Sequence, residues 1–126
     1  MNIPANLLYT KDHEWISVEE DIGIIGVTDF AQRELGDIIF LEIETVGETL
    51  KKGETFGTVE AVKTVSDLFM PVSGEVLELN PELENSPALI NSDPYGKGWI
   101  IKVKITDPTE VSDLIPAEKY KNLVAS

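Results

Sequence analysis

Most of the chain consists of short runs of apolar residues separated by turn-forming residues. In several of these runs apolar and polar positions alternate with a period of two, which is typical of strands with one buried face. The runs that predict strands are residues 15–18, 22–27, 38–43, 75–79 and 99–105. Because strand and helix patterns do not alternate, the sequence predicts an antiparallel sandwich or a flattened barrel.

Capping patterns predict a few short helices between and after these strands. Thr28 is a suitable N-cap for a helix that Gly36 would end. An Asp-Pro pair at 107–108 and a further proline, Pro116, each predict a helix start near the end of the chain. Residues 80–97 are rich in turn formers and are predicted to form a loop with one or two short helical turns.

Residues 54–70 predict a β-hairpin whose two arms run up to and away from Lys63. The turn contains neither glycine nor proline, so its shape must depend on packing. A lysine at the tip of a rigid hairpin suits a carrier domain, because its amine can be acylated by a long prosthetic group that then swings freely. The simpler interpretation is a solvated lysine, as most lysines are. Local spacing alone leaves both interpretations open.

Composition narrows the possible partners and chemistries. The 126 residues suit a single domain (1–126), with 42% hydrophobic and 26% charged residues. The formal net charge of −13 argues against nucleic acid and membrane surfaces as partners and favours basic docking faces. The chain has no cysteine and one histidine, His13, so thiolate and paired-histidine metal sites are excluded. The first residues show no targeting pattern, so a cytoplasmic location is predicted.

Several sequence blocks together resemble the H-protein family of the glycine cleavage system. The resemblance covers nearly the whole chain and is carried by residues 9–15 (YTKDHEW), 26–32 (GVTDFAQ), 35–38 (LGDI), 59–63 (VEAVK), 71–76 (PVSGEV), 91–96 (NSDPYG) and 98–99 (GW). It implies a mainly β, lipoyl-domain-like barrel-sandwich hybrid of two antiparallel sheets. A short internal helix, short C-terminal helices and a monomeric state are further expectations from it.

The resemblance also implies a function centred on Lys63. Lipoic acid would be attached to this lysine as an amide, and the arm would shuttle the aminomethyl group of glycine. The implied partners are a pyridoxal-phosphate glycine decarboxylase, a tetrahydrofolate-dependent aminomethyltransferase and dihydrolipoyl dehydrogenase. A lipoyl ligase or a lipoyl/octanoyl transferase would attach the group. The chain itself would be a non-catalytic carrier.

The resemblance implies roles for five further residues. Glu60 and Gly74 match positions associated with recognition by the lipoylating enzyme, although a solvated carboxylate and a turn glycine would look the same. Glu14, Glu34 and Asp67 are expected to line the cleft that receives the loaded arm. Some family members carry histidine where Glu34 stands, so the contacts of the arm at that point are open.

Four other classes of protein remain as alternatives. Lipoyl domains of 2-oxo acid dehydrogenases often have aspartate where Val62 stands, and biotin carriers would place methionine at both neighbours of the lysine, where Val62 and Thr64 stand. A hydrolase that uses the pair Glu14 and Glu60 has no motif to support it. An unmodified scaffold, or a protein that relays lipoyl groups to other proteins, would be compatible with the same sequence.

Overall fold

The computed structural model describes residues 1–125, in which ten strands form two antiparallel sheets and three α-helices and two 3-10 helices connect them. The strands are β1 (Leu8–Tyr9), β2 (Glu14–Glu19), β3 (Ile22–Val27), β4 (Ile38–Glu42), β5 (Thr49–Leu50), β6 (Thr55–Ala61), β7 (Val65–Phe69), β8 (Gly74–Leu79), β9 (Ile101–Ile105) and β10 (Ile115–Pro116). The α-helices are α1 (Asp29–Leu35), α2 (Leu89–Ser92) and α3 (Ala117–Val124), and the 3-10 helices are Pro81–Glu84 and Pro108–Asp113.

The two sheets differ in size and carry different parts of the molecule. The larger sheet has the order β10-β1-β2-β3-β9-β8-β5, and the smaller has the order β4-β6-β7. All pairings are antiparallel and neither sheet closes on itself. The prediction of two antiparallel sheets with a short internal helix and short C-terminal helices is therefore confirmed, and the sheets do not form a closed barrel.

The core lies between the two sheets, because each contributes one apolar face. Ile16, Ile25 and Val103 from the larger sheet and Phe56 and Val59 from the smaller sheet have no exposed surface. Burying a side chain of this size stabilises the fold by about 1.5–3 kcal/mol before entropy costs. A second cluster packs α3 against β1 and β2, and consists of Leu7, Tyr9, Trp15, Ala117 and Tyr120.

Helix α1 follows from the capping residues that flank it. The Thr28 hydroxyl accepts a hydrogen bond from the Ala31 backbone N–H at 3.1 Å. At the other end, Gly36 has φ +81° and donates its N–H to the Gln32 carbonyl. This backbone conformation is strained for any residue with a Cβ, so glycine ends the helix here.

Some predicted boundaries differ from the structure. The strand predicted from residue 99 begins at Ile101, because the Trp99 carbonyl accepts a hydrogen bond from the Asn80 side-chain amide. The segment 80–97 contains the two predicted helical turns, and Pro116 precedes helix α3. None of the helices within residues 1–125 has the length and apolar character needed to cross a membrane.

Candidate functional site

Lys63 lies at the exposed tip of the hairpin that β6 and β7 form. Two backbone hydrogen bonds shape the turn. The Ala61 N–H donates to the Thr64 carbonyl at 2.7 Å, and the Val62 N–H donates to the Asp37 carbonyl at 3.0 Å. The second bond ties the tip to the segment that follows α1. The turn contains neither glycine nor proline, so these hydrogen bonds and the packing around it hold its shape, as the sequence pattern predicts.

The stem of Lys63 lies directly against Gly36. A Cβ added to Gly36 would be 3.1 Å from Lys63 Cε and 3.7 Å from Nζ. Among residues 1–125 no carboxylate lies within ion-pair distance of Nζ, so the amine is open to reaction. Sequence reasoning assigned Gly36 only to the end of α1. No sequence signal links it to a lysine 27 positions later, and only the packing shows the contact.

Glu14, Glu34 and Asp67 line one cleft, with a cavity volume of about 170 Å³. Its remaining walls come from strands β3 and β7, from α1 and from the loop before β2. These wall residues are Asp12, His13, Val27, Ala31, Leu35, Ser66 and Leu68. Leu35, one of these wall residues, directly precedes Gly36, which lies against the lysine stem. The structure therefore brings the three sequence-predicted cleft residues together around a space with mostly apolar walls and several acidic groups.

Glu14 is the most deeply buried carboxyl group of this cleft, with 2% of its surface exposed. Its Oε1 accepts a hydrogen bond from the Thr10 hydroxyl at 2.8 Å, and its Oε2 accepts one from the Phe69 N–H at 3.2 Å. Burial raises the pKa of Glu14 to about 7, although the two hydrogen bonds favour the charged form. Near neutral pH the carboxyl group is thus poised between its two protonation states.

His13 is a wall residue of the same cleft, but its ring is already engaged. Its Nδ1 is 2.9 Å from the Tyr120 hydroxyl, which is 2.7 Å from the Thr28 hydroxyl. Its ring packs on Phe30 at 4.6 Å between centroids. Burial lowers the pKa of His13, while the charges of Asp12 and Glu34 oppose this shift. This histidine therefore anchors α3 to the cleft wall.

Glu60 and Gly74 lie apart from each other. Glu60 is exposed on β6, paired with Phe40 of β4 and Val65 of β7. Gly74 is buried at the start of β8, beyond the far end of the hairpin, and a Cβ there would be 2.7 Å from the Lys104 carbonyl oxygen. Close strand approach is thus sufficient to require glycine at this position.

This geometry does not support a hydrolase that uses two carboxylates, nor a metal site within the described residues. Glu14 is buried at the cleft wall, whereas Glu60 points out from the smaller sheet, so the two carboxylates do not face one substrate site. Within the described part of the chain, no group of three or more histidine, aspartate or glutamate side chains could hold a metal ion.

Comparison with known proteins gives a consistent result. A family model described as "Glycine cleavage H-protein" matches residues 7–126. A protein named glycine cleavage system H protein from Bacteroides thetaiotaomicron is 60% identical over 124 residues, which is 98% of each chain. Another of that name from Symbiobacterium thermophilum is 56% identical over 119 residues, or 94% of this chain and 93% of its own.

A solved structure matches the fold as well as the sequence. It is a crystal structure of a glycine cleavage system H protein from Mycobacterium marinum, with a TM-score of 0.90 and 39% identity. The match covers 98% of this chain and 100% of that one. Sequence and structure comparisons thus point to the same family over the same span.

Proposed function

The chain belongs to the glycine cleavage H-protein family, and from this membership and the site geometry we propose that Lys63 carries its lipoyl group. The protein is thus the lipoyl carrier of the glycine cleavage system, and the lipoyl domain of a 2-oxo acid dehydrogenase is set aside. The observation that supports Lys63 is its position: an exposed amine at a rigid tip, with its stem against Gly36.

The residues present fit a long flexible acyl group. An open amine suits attachment, and the missing Cβ of Gly36 leaves space beside the stem. A cleft of about 170 Å³ has Leu35, the residue before Gly36, in its wall. In the attachment step, the neutral Lys63 amine attacks the carbonyl carbon of an activated lipoyl donor. The new C–N bond forms as the bond from that carbon to its leaving group breaks, and the amine loses a proton. The lysine charge is lost in the amide.

When attached, the lipoyl group supplies a dithiolane that accepts the aminomethyl group of glycine and carries it between enzymes. The hairpin keeps the attachment point rigid, so that the reach of the arm is set by the arm itself. Leu35 and Leu68 give the cleft apolar walls that keep water away from a bound end. Glu14, Glu34 and Asp67 supply the acidic groups that a protonated amine would contact.

A cationic amine bound in this cleft would change the pKa of Glu14. A positive charge within a few ångströms favours the ionised carboxylate and would lower the pKa of Glu14 from about 7. The buried carboxyl would then bind the cation as a charge-assisted hydrogen-bond acceptor. We therefore assign to Glu14 the role of holding the loaded end of the arm.

The chain acts on this account as a substrate of its partner enzymes and performs no catalysis itself. The partners are a pyridoxal-phosphate glycine decarboxylase, a tetrahydrofolate-dependent aminomethyltransferase, dihydrolipoyl dehydrogenase, and a lipoyl ligase or lipoyl/octanoyl transferase. A net charge of −13 would steer encounters toward basic faces on these enzymes. Recognition of Glu60 and Gly74 by the attaching enzyme, the monomeric state and the cytoplasmic location stay predictions.

Intact mass and peptide mapping test the attachment. Incubation with lipoate, ATP and a lipoate ligase should add one lipoyl group at Lys63, Lys63→Arg should gain none, and the exposed control Lys97→Arg should be modified normally. Glycine decarboxylation with the partner enzymes should require the modified protein. A Lys63→Arg protein with full activity in that assay would overturn the proposal, whereas modification without decarboxylation would favour lipoyl relay.

A further inference from the structure

The side-chain amide of Asn91 joins three parts of the chain next to the lysine. Its Nδ2 donates to the Gly36 carbonyl at 2.8 Å and to Gln32 Oε1 at 3.1 Å, and its Oδ1 accepts from the Ile38 N–H at 2.9 Å. One side chain therefore holds the end of α1, the start of β4 and the turn between them. Residues 36–38 are called the α1–β4 turn below.

A carboxamide in this orientation satisfies all three partners. Gln32 Nε2 donates to Asp29 Oδ1 at 2.8 Å, which leaves Gln32 Oε1 as an acceptor that faces Asn91. The Gly36 carbonyl is also an acceptor, so Asn91 presents its two N–H donors to these oxygens and its own oxygen to the Ile38 N–H. An aspartate of the same shape would keep the last bond but place a negative charge against two oxygens.

Asn91 lies on a part of the chain that the core holds in place. It belongs to α2, and its neighbour Ile90 has no exposed surface and is part of the core between the sheets. The Asn91 backbone N–H donates to the Ala88 carbonyl at 3.0 Å. The α1–β4 turn is thus tied through this side chain to the core and not only to its neighbours in sequence.

The α1–β4 turn also contacts the hairpin tip. The Val62 N–H donates to the Asp37 carbonyl at 3.0 Å, and the Lys63 stem lies against Gly36. The same short segment therefore bonds to Asn91 and carries the stem of the modified lysine. Through this segment, the amide of Asn91 fixes the position of the stem relative to the core.

We propose that Asn91 is a positioning residue for the lipoyl arm: it holds the α1–β4 turn against the modified lysine and thereby favours the arm bound in the cleft over the arm free in solvent. The proposal rests on the proposed function, because it requires a lipoyl group on Lys63. Gly36 directly follows Leu35, a wall residue of the cleft. An arm whose stem is already fixed loses less conformational entropy when its far end binds, so the bound state is more populated.

Asn91→Asp tests the role, because it keeps the oxygen acceptor and removes both donors. Asn80→Asp is the matched control, since Asn80 makes the same set of three bonds elsewhere. Its Nδ2 donates to the Lys97 and Trp99 carbonyls, at 2.8 Å each, and its Oδ1 accepts from the Glu82 N–H at 3.1 Å. Asn80 is 1% exposed and does not line the cleft. Urea unfolding verifies that each variant is folded, and Asn91→Ser replaces Asn91→Asp if the latter is not.

The first measurement is hydrogen exchange of backbone amides in the unmodified protein. The Val62 N–H, which bonds to the α1–β4 turn, should exchange about tenfold faster in Asn91→Asp, because the turn is no longer tied to α2. The Ala61 N–H has its acceptor within the hairpin turn and should keep its rate. Asn80→Asp should leave both rates unchanged.

The second measurement follows fully loaded protein. Loss of the aminomethyl group, measured by intact mass without partner enzymes, should be about fivefold faster in Asn91→Asp, because a larger share of the arm is free. The KM of the aminomethyltransferase for the loaded protein should fall by a similar factor with kcat unchanged, since an enzyme that needs the free arm finds more of it. Lower stability alone would not lower KM. Asn80→Asp should keep the wild-type lifetime and KM.

The outcomes distinguish this proposal from the proposed function. A wild-type lifetime of the loaded arm in Asn91→Asp would overturn the positioning role, whatever its amide exchange, while Lys63 remained the attachment site. Equal effects of the two asparagine variants would overturn it as well, since the loss of either set of bonds would then loosen the arm. A wild-type chain that gains no lipoyl group at Lys63 would instead overturn the proposed function, on which this role depends.

Discussion

The Oε2 atom of Glu14 accepts a hydrogen bond from the backbone N–H of Phe69 at 3.2 Å. Glu14 is the first residue of β2 in the larger sheet, and Phe69 is the last residue of β7 in the smaller sheet. This bond therefore joins the two sheets at the base of the hairpin. It also holds a buried carboxyl group at the wall of the cleft that Glu34 and Asp67 line.

The buried carboxyl makes stability depend on pH. Because burial raises the pKa of Glu14 to about 7, the folded protein keeps a proton between about pH 4.5 and 7 that the unfolded chain has released. This contribution to the free energy of unfolding falls as pH rises through that window and is fully lost above it. Its size is about 3 kcal/mol.

Glu14→Gln should remove this dependence. The amide oxygen can accept from Phe69 N–H while the amide nitrogen donates to the Thr10 hydroxyl, so both contacts survive. Urea unfolding should show the variant gaining up to about 3 kcal/mol on the wild type between pH 5 and pH 8. Glu60→Gln, on the exposed face, is the control. An equal difference at both pH values would show that Glu14 does not titrate differently in the two states.

The same substitution should shorten the lifetime of the loaded arm. A neutral amide binds a protonated amine more weakly than a carboxylate does, by about 1–2 kcal/mol, which corresponds to roughly tenfold faster release or hydrolysis. The measurement follows loss of the aminomethyl group from loaded protein by mass. Glu60→Gln should leave the lifetime unchanged. If Glu14→Gln and Glu14→Ala both keep the wild-type lifetime, the role assigned to Glu14 is wrong.

Gly36→Ala should affect both stability and the arm. A Cβ would meet Lys63 Cε at 3.1 Å, and φ +81° is strained for alanine at a cost of about 1–3 kcal/mol. Gly47→Ala is the matched control, since Gly47 has φ +93° and open space around its Cβ position. Both variants should lose stability in urea, but only Gly36→Ala should change the lifetime of the loaded arm. Equal effects of the two on that lifetime would contradict a direct contact.

Gly74→Ala should destabilise the larger sheet. Its Cβ would lie 2.7 Å from the Lys104 carbonyl oxygen, so β8 and β9 must separate, at a cost of about 1–3 kcal/mol. Lipoylation measured well below the unfolding midpoint then tests recognition separately. A slower rate in fully folded protein supports direct recognition of Gly74. A wild-type rate there, with normal loss of stability, assigns the glycine to strand packing alone.

Local pattern was sufficient to predict the longer strands and to single out Lys63, but it did not predict the two-residue strands β1, β5 and β10. Period-two alternation and the Thr28 and Gly36 caps depend on neighbouring residues, so β3 (Ile22–Val27) and α1 appeared with their observed bounds. The turn at Lys63 followed from two extended arms of similar length. The start of β9 could not be predicted from local pattern, because the Asn80 side chain that bonds to the Trp99 carbonyl lies 19 residues away.

Only the tertiary structure decided what surrounds the lysine. Glu14 and Asp67 are 53 residues apart, and they line one cleft because β2 and β7 are held together across the two sheets. The raised pKa of Glu14 depends on that burial, which no local window contains. The Val62 to Asp37 hydrogen bond likewise joins the hairpin tip to the segment after α1, where Gly36 lies against Lys63. Short-range chemistry selects the elements, whereas long-range packing determines which side chains share a site.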